Sequence, residues 1–134
     1  MKTGDIRRGL WSLLLALPLV ARAQFSYDVP FVPTPPVVVE EMLRLAGVTS
    51  EDFVIDLGSG DGRNVIGAAK RGARARGVEY NPELVEHSKR RAEAAGVPGL
   101  AQFVQGDMYA ADISPASVLA LFLLPENLRK LTPK

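Results

Sequence analysis

Apolar and polar positions along the chain follow two rhythms, and their alternation sets out the expected elements. From Val37 the stretch VVVEEMLRLAG places apolar residues at helical spacing and stops at Gly47. Thr34 is the expected cap of this helix, with Pro35 at its first position. Val48 to Asp52 reads as a turn and Phe53 to Leu57 as a short apolar strand. A glycine loop follows, then a helix over about residues 63–71 and a second strand at Ala75 to Tyr80. Asn81-Pro82 opens a helix that runs through LVEHSKRRAEAA and stops at Gly96. Leu100 to Gln105 is a third strand, and after the loop GDMYAADISP comes the unbroken apolar run Val118 to Leu124. Strands alternating with helices, with no internal repeat, predict an α/β fold with a doubly wound, mostly parallel sheet.

The run VLALFLL has no polar alternation, the signature of a strand covered on both faces of a parallel sheet. Only PENLRKLTPK follows it, enough for one helical turn or two and no further strand. Left uncovered, such a strand is a long hydrophobic edge. The expectation is therefore a fragment of a longer domain, the alternative being a partner that covers the edge.

Charge changes the picture at the N-terminus. Lys2, Arg7 and Arg8 precede an apolar core of 11 residues, Leu10 to Val20, and Ala21-Arg22-Ala23 supplies small residues where a signal peptidase cuts. That core is shorter than the roughly 20 residues that span a bilayer. Residues 1–23 are thus expected to be a signal peptide, or otherwise a membrane anchor, giving an exported or membrane-tethered protein. Arg7-Arg8 also loosely fits a twin-arginine signal. Residues 24–36, rich in proline and aromatics, form an extended lead-in, and residues 37–134 the folded domain. The first 23 residues hold four basic residues and one acid. Of the 16 basic and 15 acidic residues in the chain, 12 and 14 remain. No basic footprint for nucleic acid is left. Lys70, Arg71, Arg74, Arg76 and Lys89-Arg90-Arg91 read as solvated faces at helix ends. The chain has no cysteine and one histidine, His87, so neither a thiol nucleophile nor a metal site is expected.

The candidate chemistry lies in VIDLGSGDGRN. A dinucleotide fingerprint requires G-x-G-x-x-G, and counting from Gly58 its third glycine falls at position 63, which is Arg63. The spacing is G-x-G-x-G instead, through Gly58, Gly60 and Gly62, with Asp56 two residues ahead. A carboxylate there suits a cation better than a pyrophosphate. Glu79 closes the second strand, 21 residues beyond Gly58, where an acid accepts from ribose hydroxyls. Asp107 closes the third, where it can accept from an exocyclic amine. Ligands of open α/β sheets bind at these strand ends. The ligand suggested is a nucleoside with a positively charged tail.

With Asp56, Gly58, Gly60, Gly62, Glu79 and Asp107 in this order, the chain resembles the class I, Rossmann-like, seven-strand methyltransferases that use S-adenosylmethionine. The resemblance runs from about Tyr27 to the end. It implies that Asp56, Gly58 and Gly60 face the methionine part, within a loop that includes Ser59 and Gly62. It places Glu79 on the ribose, Asp107 and the Met108 backbone on the adenine, and Tyr80 as a wall of the adenine or a solvent-facing residue. The stretches VPFVPTPPVVVEEML, DLGSGDG, GVEYNP and LFLLP resemble more narrowly the lysine methyltransferases of ATP-synthase c-subunit and adenine-nucleotide translocase. Thr34-Pro35 is similar to a Thr-Pro segment that touches the cofactor carboxylate in some amino-methyltransferases. The implied activity is methylation of a protein lysine, with no nucleic-acid partner. A catalytically inert cofactor-binding module is the alternative, and a nicotinamide dehydrogenase a third reading. Glu126 and Asn127, at the end of the fourth strand, would touch the methyl acceptor or cap the following helix. Two departures stand out. The later strands of the seven-strand fold are missing, and Leu124-Pro125-Glu126-Asn127 replaces the Asn/Asp-Pro-Pro-aromatic signature of nucleobase amino-methyltransferases.

Overall fold

The structure is a computed structural model and describes residues 31–134. The expected signal segment and most of the extended lead-in lie outside the described residues. Four parallel strands form one sheet in the order β3-β2-β1-β4, comprising β1 (Phe53–Leu57), β2 (Arg74–Glu79), β3 (Ala101–Gln105) and β4 (Val118–Ala120). The helices are α1 (Pro36–Leu45), α2 (Arg63–Lys70), α3 (Pro82–Ala94) and α4 (Pro125–Leu131). The α/β parallel sheet expected from the alternation is the one observed. Among the described residues no helix is long and apolar enough to cross a membrane.

Two apolar layers hold the sheet. On one face Val54, Ala75, Ala101 and Phe103 pack with Val39 and Leu43 of α1, Val65, Ala68 and Ala69 of α2, and Val85 and Ala92 of α3. On the other, Ile55, Leu57 and Val78 meet Met108, Tyr109, Ile113, Leu121, Leu123 and Leu131. The strand period of two puts Val54 and Asp56 on the same face, towards α2, which decides where the acid points.

Three expectations are corrected. Thr34 does not cap α1: Pro35 occupies the N-cap at φ −56°, ψ 142°, and makes no side-chain cap bond. The residue before a proline is driven out of the α region, so Pro36 bars Pro35 from the helix. The fourth strand is three residues long rather than seven, because Val118, Leu119 and Ala120 pair with Val54, Ile55 and Asp56. Beyond Leu57 the chain turns away at Gly58, where φ is 78°, and offers no further partner. Among the described residues β4 is an edge strand with Leu119, Phe122 and Leu124 exposed, the hydrophobic edge expected of this run where nothing covers it. Arg74 and Arg76 lie on β2 rather than at a helix end, with their guanidinium groups over the Phe53 ring at 5.2 and 5.3 Å.

Candidate functional site

The C-terminal ends of β1, β2 and β3 bring the predicted carboxylates to one rim of the sheet. Asp56 is 2% exposed, between Gly77 on β2 and Ala120 on β4. Asn64, one residue into α2, donates its side-chain N–H to an Asp56 carboxylate oxygen at 3.1 Å. Burial pushes the Asp56 carboxyl up to about 7, against the lowering by Asn64, and the negative charges of Glu79 and Asp61 raise it further. Glu79 accepts the backbone N–H of Gly60 at 2.8 Å on one oxygen and that of Asn81 at 2.9 Å on the other. Asp107 is exposed and accepts the Tyr109 amide at 2.8 Å. Met108 is half-buried beside it and Tyr80 is 46% exposed.

The loop's hydrogen bonds tell what it is not. The amides of Gly58 and Ser59 both donate to the Val78 carbonyl, at 2.8 and 3.1 Å, and Gly60 donates to Glu79. Three consecutive N–H groups that a phosphate cradle would aim at its anion are here turned onto β2. Together with the acid field, this disfavours a pyrophosphate.

The three loop glycines do different work. All are left-handed. A Cβ on Gly58 would make only ordinary contacts with Leu123 and Met108, at 3.4 and 3.8 Å, so its side is packed against those two apolar chains. One on Gly60 would stand 2.4 Å from the Phe31 ring. One on Gly62 would run into Phe103 at 2.6 Å and Ser88 at 2.9 Å, so Gly62 faces the core packing between β3 and α3. Ser59 is buried and points at Gly77, where an added Cβ would lie 2.4 Å from its hydroxyl. Thr34 is buried, and its carbonyl accepts from the Arg63 guanidinium. Glu126 is exposed in the first turn of α4. Asn127 is 1% exposed and donates to the Tyr109 hydroxyl at 2.8 Å, tying α4 to the 107–113 loop. In this structure its amide neither caps α4, whose N-cap is Leu124, nor has an open face for an acceptor.

Sequence reasoning missed four groups. Asn64, the partner of Asp56, was legible only as the first inward residue of α2. Asp61, Arg63 and Arg91 form a cluster: one Asp61 carboxylate oxygen meets Arg63 and Arg91 nitrogens, each at 2.6 Å. In the sequence, Arg63 stands out only as the residue that breaks the dinucleotide pattern.

Residues 56–134, the acids and the loop among them, match the sequence model of the ANTKMT methyltransferase domain. The chain belongs to that family. A protein-lysine N-methyltransferase of Saccharolobus islandicus is 45% identical over 108 residues, covering 79% of this chain and 67% of its own. The human lysine N-methyltransferase of the ATP synthase c-subunit is 38% identical over 120 residues, covering 90% of this chain and 51% of its own. This member of the ANTKMT domain family therefore spans about half to two thirds of those relatives. Among solved structures, an RNA methyltransferase of Salinibacter ruber in complex with S-adenosyl-L-homocysteine superposes with a TM-score of 0.74 at 51% identity. That match covers 76% of this chain and 67% of the other.

Proposed function

We propose that this chain binds S-adenosyl-L-methionine at the glycine loop and that the protein transfers the methyl group to a protein lysine. The observation that carries the cofactor reading is the set of three carboxylates on one sheet rim around a loop whose amides face inward. The donor set fits. Each Glu79 oxygen takes one backbone amide, and a carboxylate has about four acceptor positions, so capacity remains for two ribose hydroxyls. Asp56, buried with one amide donor, gains from a cationic ligand what water no longer supplies.

When bound, the cofactor supplies an activated methyl group on a sulfonium centre. The protein's part is to bind, orient and exclude water. Asp56 and Asp107 fix the two ends of the ligand along the rim, Asp107 selecting a base with an amine donor, and Glu79 holds the ribose between them. An ammonium group has no lone pair, so the acceptor lysine must arrive neutral, and desolvation at the rim lowers its pKa.

Lysine is favoured by the Saccharolobus and human relatives and by the engagement of the basic side chains within the fold. Arg63 and Arg91 bind Asp61, Arg71 binds Glu40, and Arg74 and Arg76 lie over Phe53. The Salinibacter ruber structure motivates a second reading, an RNA acceptor. Incubation with methyl-labelled cofactor in the presence of cell protein and total RNA separates the two. Label recovered as methyl-lysine after hydrolysis is the expected result. Label confined to RNA would overturn the lysine reading. The N-terminal segment supports export or tethering, and N-terminal sequencing of the mature protein should begin at Gln24 if residues 1–23 are cleaved.

A further inference from the structure

Phe31 is half exposed, yet its ring sits on the glycine loop so closely that Gly60 has no room for a Cβ. A large apolar side chain that gains so little burial needs another reason to be held there. The holding group is Arg63. Its Nε donates to one Asp61 carboxylate oxygen at 2.9 Å and its Nη2 to the other at 2.6 Å, while Nη1 donates to the carbonyl of Thr34, three residues from Phe31. Asp61 is held in turn by Arg91 of α3, which donates to its carboxylate and, at 2.7 Å, to its carbonyl. A carboxylate with a side-chain exposure of 12% thus joins the loop, α2 and α3, and through Arg63 reaches the segment before α1.

We propose that Arg63, oriented by Asp61, is a positioning residue that clasps residues 31–35 onto the glycine loop, and that Phe31 is thereby an apolar wall of the cofactor site. This rests on the cofactor reading above. Gly60 also carries the amide that binds Glu79, so Phe31 packs on the residue that holds the proposed ribose acid. A planar fork with three directed bonds suits this task better than an ammonium, and lysine should replace Arg63 only in part.

The test uses the full chain carrying Trp11→Phe and Phe31→Trp, so that a single indole reports on the segment. Acrylamide quenching of that indole and the Kd for S-adenosylhomocysteine are measured in this parent and with Arg63→Gln or Arg63→Lys added. Arg63→Gln should raise quenching at least twofold and weaken binding at least tenfold, with Arg63→Lys between. In the otherwise unaltered chain, Phe31→Ala should weaken binding roughly three- to tenfold at an unchanged thermal midpoint. This surface variant keeps the wall testable if Arg63→Gln does not fold. A parent that binds while Arg63→Gln changes neither quenching nor Kd, or while Phe31→Ala binds as tightly as the unaltered chain, would overturn the proposal alone. If the unaltered chain itself fails to bind, the cofactor reading and the wall fall together, and the quenching contrast still reads the clasp.

Discussion

Asp56 shows what one residue costs and supplies. With its carboxyl raised to about 7, the native state holds a proton that the unfolded chain releases near pH 4. Between those values the fold binds more protons than the unfolded state, so this contribution to stability is full below pH 4 and falls as pH rises to 7. Asp56→Asn removes the penalty and still accepts from Asn64. The ligand-free variant should therefore be more stable than the parent by about 1–3 kcal/mol at pH 7.5. The gain should grow from pH 4 to 7 and level off above, as denaturant titrations across that range will show. A parent that is equally or more stable at pH 7.5 contradicts a buried, poorly compensated acid. A cationic ligand favours the ionised form, so affinity should rise between pH 6 and 8, with proton release on binding below pH 7. Asp56, Glu79 and Asp107 were legible because each closes an apolar strand. Asn64, Asp61 and Arg91 were not, because Asn64 lies 8 residues from Asp56 and Arg91 lies 30 from Asp61, and their directions depend on how α2 and α3 pack.

At the scale of the element, strand and helix bounds came through wherever a strong punctuator stood at the end. β1 runs from the Asp52 turn to Gly58, and α3 opens at Asn81, whose side chain accepts the Glu83 amide at 2.9 Å. The start of α1 was shifted by one residue because two prolines compete and the second decides. β4 was overlong because an apolar run carries no mark of where its neighbour stops pairing. The loop was legible as a ligand element, but the division of labour among its glycines was not. Gly62→Ala should show it: a left-handed φ of 79° costs roughly 1–2 kcal/mol and the collision with Phe103 and Ser88 a further 1–3. A loss of about 2–5 kcal/mol in chemical denaturation is expected, and a loss under 1 kcal/mol would show that β3 and α3 yield freely.

At the scale of the molecule, the described residues form one parallel sheet with open edges at β3 and β4. Leu119, Phe122, Leu124 and Leu128 leave an apolar margin on the β4 side. Margins of this kind promote association between copies. Sedimentation should show mass rising with concentration for this chain, and less so for Leu119→Lys, which places a charge mid-edge and away from the acids. Parallel topology followed from the alternation of elements, whereas the order of the strands is a finding of the structure. An uncovered hydrophobic edge at β4 was anticipated from its apolar run, but its short length was not. What binds at the rim is best settled by calorimetric titration with S-adenosylmethionine, comparing the chain with Glu79→Ala. Two charge-assisted hydrogen bonds at roughly 1.5–3 kcal/mol each are lost with that carboxylate. Saturable binding that weakens at least tenfold in Glu79→Ala is the expected result. Absence of binding by a folded, soluble chain, or equal binding by the variant, would contradict the assignment of the three-acid rim to this cofactor.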